Sequence, residues 1–483
     1  MKIHILNNET ILDAGEGRLL LDVLRSAGLA VNAPCGGKGT CGKCKVLVDG
    51  NPVLSCQYVI QKDITVQLPE QGKAAVLTEG VQRKLQPDGQ DRYCLAFDLG
   101  TTTVVAFLMD GKTGATLARA SCVNPQSNYG ADVISRIQYA MDGEAEALSR
   151  CVREALAELT RQAAKEAGID PREITAAALV GNTAMHHLLL NIDPKPLTTP
   201  PYMPSVREAM EVPADFLPVA AETKLRVLPN IAGFVGADTV GCLVATEFDK
   251  LEEITLMIDI GTNGEMVLGN QDGYLACSTA AGPAFEGAKI SCGMRGQKGA
   301  VDHVWLENGQ VKHSVIGGGE AIGLCGSGLL DLVAVLLQTG DIDESGRMDE
   351  KAYTIPGTSV TLTQKDVREV QLAKAAIRAG IQLMCKKRGV RVESIEKVLL
   401  AGAFGNYMNP ASACAIGMIP PVLLTKIQSI GNAAGTGASA CALSRGIYDY
   451  STVLAEKAEF LELASMPGFD DCYVDCLLFE EEE

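Results

Sequence analysis

Two groups of residues in this sequence could do chemistry. The first is a set of four cysteines. Cys35, Cys41 and Cys44 stand in the loop "NAPCGGKGTCGKCKV" with the spacing C-x5-C-x2-C, and Cys56 follows in "VLSCQ". Four thiolates can hold a [2Fe–2S] cluster, and Gly36, Gly37, Gly39 and Gly42 let the backbone close over its sulfides and turn N–H groups toward them. Structural zinc is the rival, but zinc sites usually combine two short hooks and only one C-x2-C stands here. Ordinary packing cysteines are the bland alternative.

The second group is a duplicated aspartate–glycine loop. Asp98-Leu99-Gly100-Thr101-Thr102-Thr103 and Asp259-Ile260-Gly261-Thr262-Asn263-Gly264 each lie between two strand-like apolar runs, with a Gly-containing turn beyond. An aspartate ending a buried strand can orient Mg²⁺-bound water. The glycine lets a phosphate approach the backbone, and the hydroxyl, amide and N–H groups that follow donate to phosphate oxygens. A single copy is common in hairpins. Two copies about 160 residues apart point to an internal duplication around a nucleotide.

Such loops need elements to position them. Around the cysteines, strands are expected at "KIHIL", "TILDA", "KCKVLVDG" and "DITVQLP", with a helix over "RLLLDVLRSAG" that ends at a glycine. This pattern predicts a β-grasp domain over residues 1–69. Residues 70–91 are polar and unpatterned, a linker whose reach is roughly 25 Å for about 20 flexible residues. The duplicated loops divide the remainder into a first lobe, 92–255, and a second lobe, 256–483. The fold class is thus α/β multidomain.

Composition excludes several roles. With 483 residues the chain is too long for one core. A net charge of −17 disfavours nucleic acid and anionic membranes, both of which select a basic face. No apolar run reaches about 18 residues and the N-terminus lacks a secretory pattern, so the cytoplasm is the expected compartment. There, most of the 16 cysteines are packing residues. Cys472 and Cys476 are expected to be strand or packing residues, and His186 and His187 helix positions rather than metal ligands.

The cysteine loop resembles plant-type and adrenodoxin-type ferredoxins, although Cys56 lies closer to the trio than in those proteins. Residues 93–483 resemble the acetate and sugar kinase, heat-shock chaperone and actin superfamily, whose two ribonuclease-H-like lobes clamp ATP. "LPNIAGFVGADTVGCLVA" is similar to that family's first connecting helix, "GLCGSGLLDLVAVLLQTG" to a helix of its second lobe, and "VLLAGAFGNYM" to its adenosine loop. The combination is similar to the reductive activators of corrinoid-dependent methyltransferases, through "NPQSNYGADVISRI" (124–137), "LVGNTAMHHLLL" (179–190), "AAGPAFEGAKISCGMRG" (280–296) and "LAGAFGNYMNP" (400–410).

The resemblance implies an ATP-hydrolysing, iron–sulfur reductase of Co(II) corrinoid protein, acting in anaerobic metabolism. Cys35, Cys41, Cys44 and Cys56 would hold the cluster. Gly100, Thr101, Thr102, Thr103, Gly261, Thr262, Asn263 and Gly264 would hold phosphates, and Gly402, Ala403 and Gly405 would face adenosine. Asp98 and Asp259 would serve Mg²⁺, with Asp238 or Asp259 positioning the attacking water. The 280–296 segment is expected in a second-lobe loop near the nucleotide or the partner. Expected partners are the corrinoid-binding protein of a methyltransferase system and a low-potential electron donor, with a homodimer among the assemblies considered. The alternatives are an electron injector for another low-potential metalloenzyme and a metabolite kinase with a redox-sensing ferredoxin.

Overall fold

In the computed structural model the described residues are 1–479 without 8, 30, 32, 34–36, 38, 40, 41, 70–85, 131, 262 and 288. Cys35, Cys41, Thr262 and most of the expected linker lie outside the described residues.

The first 69 residues build a five-stranded mixed sheet in the order β2-β1-β5-β3-β4, from β1 (Lys2–Ile5), β2 (Thr10–Asp13), β3 (Lys45–Val48), β4 (Asn51–Leu54) and β5 (Ile64–Gln67). Strict alternation in β1 and β3 turns Ile3, Ile5, Val46 and Val48 inward, against Leu20, Leu21 and Leu24 of the helix Leu20–Ser26. This is the β-grasp. β4 is not among the strands expected from the sequence, and it runs through Pro52. The strand is at the sheet edge, where a missing N–H breaks no ladder bond.

Two six-stranded sheets follow. In the first, β6 (Tyr93–Leu99), β7 (Thr103–Asp110) and β8 (Thr116–Val123) form an antiparallel meander. The chain then crosses through the helix Ala145–Ala167 to β9 (Ile174–Gly181), parallel to β6, and β10 (Met210–Pro213) and β11 (Lys224–Val227) complete the order β10-β11-β9-β6-β7-β8. The second sheet repeats the plan. β12 (Thr255–Ile260), β13 (Gly264–Asn270) and β14 (Gly273–Thr279) form the meander, and the strand Lys397–Ala401 lies parallel to β12 after the helix Gln364–Arg388. The strands Ile427–Gly431 and Ala458–Phe460 sit at its edges. The two D-x-G-T loops are thus equivalent hairpin turns at equivalent corners.

Two helices join these lobes. Ala237–Thr246 and Ala433–Leu443 cross where Gly437 lies on the backbone of Gly241, too close for any Cβ. Their apolar faces share one core with Met257 and Val267 of the second sheet and Ala96 and Val105 of the first.

The end of the expected linker is not free. Asp88 accepts from Ser444 Oγ (2.7 Å) and Arg445 N (2.6 Å), and Asp91 accepts from Thr175 Oγ1 (2.8 Å), tying residues 88–91 to the two-lobed body. Cys472 lies on a helix, Phe469–Asp475, rather than a strand, and donates to Gln382 Oε1 (3.2 Å), while Cys476 is buried just beyond. His186 and His187 lie buried on the helix Thr183–Leu190, bonded to Asn230 Nδ2 and Thr183 O. Burial holds His186 down at about 4. No helix among the described residues is long and apolar enough to cross a membrane.

Candidate functional site

A cleft of about 520 Å³ opens between the two sheets, and both hairpin turns reach it. At the first, Gly100 N–H donates to Thr103 O (2.9 Å), and a Cβ on Gly100 would come within 2.8 Å of that same oxygen. The turn is therefore tight because residue 100 has no side chain. Its carbonyls are tied down behind it. Asn124 Nδ2 holds Gly100 O (2.8 Å), Arg136 Nη2 holds Thr101 O (2.6 Å) and Asn124 N–H holds Thr102 O (2.8 Å). Asn182 Nδ2 donates to Thr101 Oγ1 (2.8 Å), and Thr102 Oγ1 lies 3.5 Å from Glu286 Oε2.

At the second turn, Gly261 N–H donates to Asn263 O (2.9 Å). Asp98, Gly100, Thr101, Thr102, Thr103, Asp238, Asp259, Gly261, Asn263 and Gly402 all line the cleft. Gly264 and Gly405 are set back from it: Gly264 packs on Thr279 and Ile377, and Gly405 on Leu400. Phe404 joins the wall and stacks on Phe285, with ring centroids 4.9 Å apart and planes 14° apart. The 280–296 segment does reach the cleft, through Phe285, Glu286, Met294, Arg295 and Gly296.

The cleft gathers buried carboxylates. Burial raises Asp98 to about 6, although Asn432 Nδ2 donates to it at 2.8 Å. Burial raises Asp238 to about 6 and Asp259 to about 7. Asp98 adds to both shifts, and Asp238 adds to that of Asp259. Glu265 is pushed well up by burial and then by Asp238 and Asp259. Sequence reasoning missed Glu265, yet the hairpin register contains it, since β12 and β13 pair Asp259 directly with Glu265. Two like charges across a ladder are unfavourable unless something positive sits between them. Asn432 was also missed, because only the fold brings it to the loops, and Glu286 was not singled out within the 280–296 segment expected there.

These raised carboxylates set a pH signature. The folded state keeps protons that the unfolded chain has lost, so their contribution to stability is present below about pH 4 and is lost as pH rises through 6 to 7. Asp238→Asn is therefore expected to stabilise the nucleotide-free protein at pH 8, by on the order of 2 kcal/mol, and to do little at pH 4. Thermal melts at the two pH values check this.

Gly402 has φ +80°, and a Cβ there would collide with Asp259 Oδ1. Gly402→Ala is expected to cost about 1–3 kcal/mol in stability and to weaken ATP by roughly tenfold through the displaced carboxylate. A melt and an ATP titration measure both.

At the cysteine loop, Cys44 and Cys56 are both buried, with Sγ atoms 3.2 Å apart, close enough to share one metal ion. Burial alone would raise the Cys44 thiol. The Cys56 N–H and the side chains of Cys56 and Ser55 outweigh burial, and the net shift is downward, toward the ligating thiolate. Gly37, Gly39 and Gly42 all have positive φ, and a Cβ on Gly39 would come within 2.7 Å of Gln57 Nε2. The chemistry of this pair and the tight glycine backbone fit an iron–sulfur ligand loop. Lys43 Nζ of this loop donates to Gly287 O (3.2 Å), and the preceding residue, Glu286, lines the cleft.

Three family models match successive parts of the chain. They are a 2Fe-2S iron-sulfur cluster binding domain over residues 3–72, the RACo middle region over 93–251, and the C-terminal domain of RACo, the ASKHA domain, over 253–483. The chain is 33% identical to the corrinoid activation enzyme RamQ of Eubacterium limosum across 98% of both chains. That alignment runs over 585 positions, so the relative carries inserted residues that this 483-residue chain lacks. The chain is 28% identical to a Co(II) methylated amine-specific corrinoid protein reductase of Methanosarcina barkeri, over 79% of this chain and 76% of that one. It matches the solved structure of a reductive activator for a corrinoid, iron-sulfur protein with a TM-score of 0.73 and 30% identity, over 99% of this chain and 98% of the other.

Proposed function

The chain belongs to the RACo family of corrinoid activators, and from that premise we propose that it couples ATP hydrolysis to the one-electron reduction of a corrinoid protein, from Co(II) to Co(I). A [2Fe–2S] cluster supplies reversible one-electron transfer where four thiolates hold it. Cys35, Cys41, Cys44 and Cys56 are those ligands. The observation that carries the reading is the bond from Lys43, beside Cys44, to the carbonyl of Gly287, beside Glu286 in the nucleotide cleft. One short segment of chain therefore meets both the electron carrier and the site of hydrolysis.

In the cleft, Gly100, Thr101, Thr102, Gly261, Thr262 and Asn263 donate to the phosphates, while Gly402 and Ala403 lie along the adenosine. Asp98 and Asp259 serve Mg²⁺, and Asp238 or Asp259 orients the attacking water. Among the described residues no three His, Cys, Asp or Glu side chains form a ready-made metal cage. Magnesium does not ask for one, since it usually keeps several waters and takes one or two carboxylates plus the phosphates.

Reduction to Co(I) is uphill from a plant-type cluster at about −400 mV. Each roughly 59 mV of gap costs tenfold in equilibrium, which hydrolysis can supply. A low-potential donor refills the carrier. The protein works in the cytoplasm, apart from nucleic acid and membrane.

The test is spectral. Anaerobic protein, Mg²⁺, a reductant and Co(II) corrinoid proteins encoded beside it are mixed, and Co(I) absorption is followed. The expected result is Co(I) formation with ATP and little without it. Equal rates with and without nucleotide, or no Co(I) with any of these corrinoid proteins, would overturn the reading.

A further inference from the structure

The segment 124–137 is not accounted for by any role assigned above, and the structure places it directly behind the first phosphate turn. Asn124 holds two of that turn's carbonyls and Arg136 holds the third. Arg136 is completely buried. Its Nε donates to Gly130 O (2.9 Å), its Nη2 to Thr101 O (2.6 Å), and its Nη1 faces Met185 Sδ (3.3 Å). Asp132 and Glu286 act on it by their charge, but less than burial does. Asp132, one turn earlier, is occupied in capping its own helix at Ser135 N. Burial lowers Arg136 only to about 10, so it stays charged at neutral pH.

A fully buried guanidinium is costly, and such groups cluster where function uses them. The peptide geometry shows the use. In a trans peptide the C=O and the following N–H point in opposite directions. Asn124 holds Gly100 O away from the cleft, which sends Thr101 N–H toward it. Arg136 holds Thr101 O away, which sends Thr102 N–H the same way. Neither N–H is donated to another backbone group among the described residues. Arg136 does not itself line the cleft.

We propose that Arg136 is a positioning residue for the nucleotide phosphates: it clamps the Thr101–Thr102 peptide so that its N–H faces the cleft, and its positive charge, one peptide behind, favours an anion there. The polyphosphate of the bound nucleotide is then the anion it favours. This inference rests on the cleft being the ATP site.

The test compares adenosine, ADP and ATP binding, with Mg²⁺ present, to the wild type, Arg136→Gln and Arg136→Lys. The expected loss in Arg136→Gln grows with phosphate number: adenosine unchanged, ADP weakened several-fold and ATP by roughly tenfold or more. Arg136→Lys keeps the charge but cannot reproduce the planar fork, so it should recover part of the ATP loss. If Arg136→Gln does not fold, the same grading is read from Arg136→Lys alone. An equal loss for all three ligands would mark a merely structural residue and overturn the inference, as would no loss at all. A wild type that binds none of the three removes the nucleotide reading itself, an outcome distinct from either.

Discussion

Cys44→Ser is expected to remove the visible absorption of the iron–sulfur chromophore and to bring Co(II) reduction to the uncatalysed rate. ATP binding in the cleft should stay at the wild-type level. The reasons are local. Cys44 is nearly inaccessible, with its sulfur against that of Cys56, and the Cys56 N–H and the Ser55 hydroxyl hold its thiol below the ordinary value against the opposing effect of burial. Serine keeps the volume but loses the soft, readily ionised ligand. The β-grasp core of Ile3, Ile5, Leu24 and Val66 does not line the cleft, and the loop's bond to Gly287 O comes from Lys43 rather than Cys44, so the ATPase body should be unaffected. Iron analysis, absorption spectra and an ATP titration on one preparation measure all three parts. Loss of ATP binding together with the cluster would mean that the two halves do not fold independently of one another.

Asp259→Asn is expected to lower ATP hydrolysis by about 10²–10³-fold, with corrinoid reduction falling in parallel. Asp259 ends the central strand of the second lobe, faces Glu265 across the hairpin and lies against Gly402. Burial, then Asp238 and Asp98, hold it at about 7 in the free protein. Only the ionised form can serve a cation or accept a proton from water, so kcat/KM should rise with pH through about 7 and level off above it. Because kcat/KM reports the free enzyme, Mg²⁺ in the complex does not mask this group. In Asp259→Asn the residual rate should lose that rise. A pH profile of unchanged shape would assign the titration to another group.

How much of this was legible in the sequence depends on the range of the forces involved. Both D-x-G-T turns, their flanking strands and the cysteine loop were legible because each is a local device, with glycine where the backbone turns sharply and apolar runs on either side. The edge strand β4 was hidden by Pro52, whose effect depends on whether a neighbour strand lies beyond it. The last residues of the linker looked free because nothing local shows that Asp88 caps a helix beginning at Arg445, more than 350 residues later. Glu265 could have been found by counting across the hairpin from Asp259. Asn432 and Arg136 could not, since each reaches the phosphate loops only through the crossing of helices and the return of distant segments. Gly264 and Gly405 stand apart from the residues that line the cleft. A glycine inside a ligand-binding motif can serve packing alone, here against Ile377 and Leu400.

The central claim is that nucleotide moves an electron to a place it would not otherwise go. The most direct measurement holds the donor at a fixed potential with a redox buffer and reads the final fraction of Co(I), rather than the rate. The account predicts a higher plateau with ATP and Mg²⁺ than without, returning to the lower value once ATP is exhausted. An identical plateau reached merely sooner would contradict it, since hydrolysis would then be a gate and not a driving force.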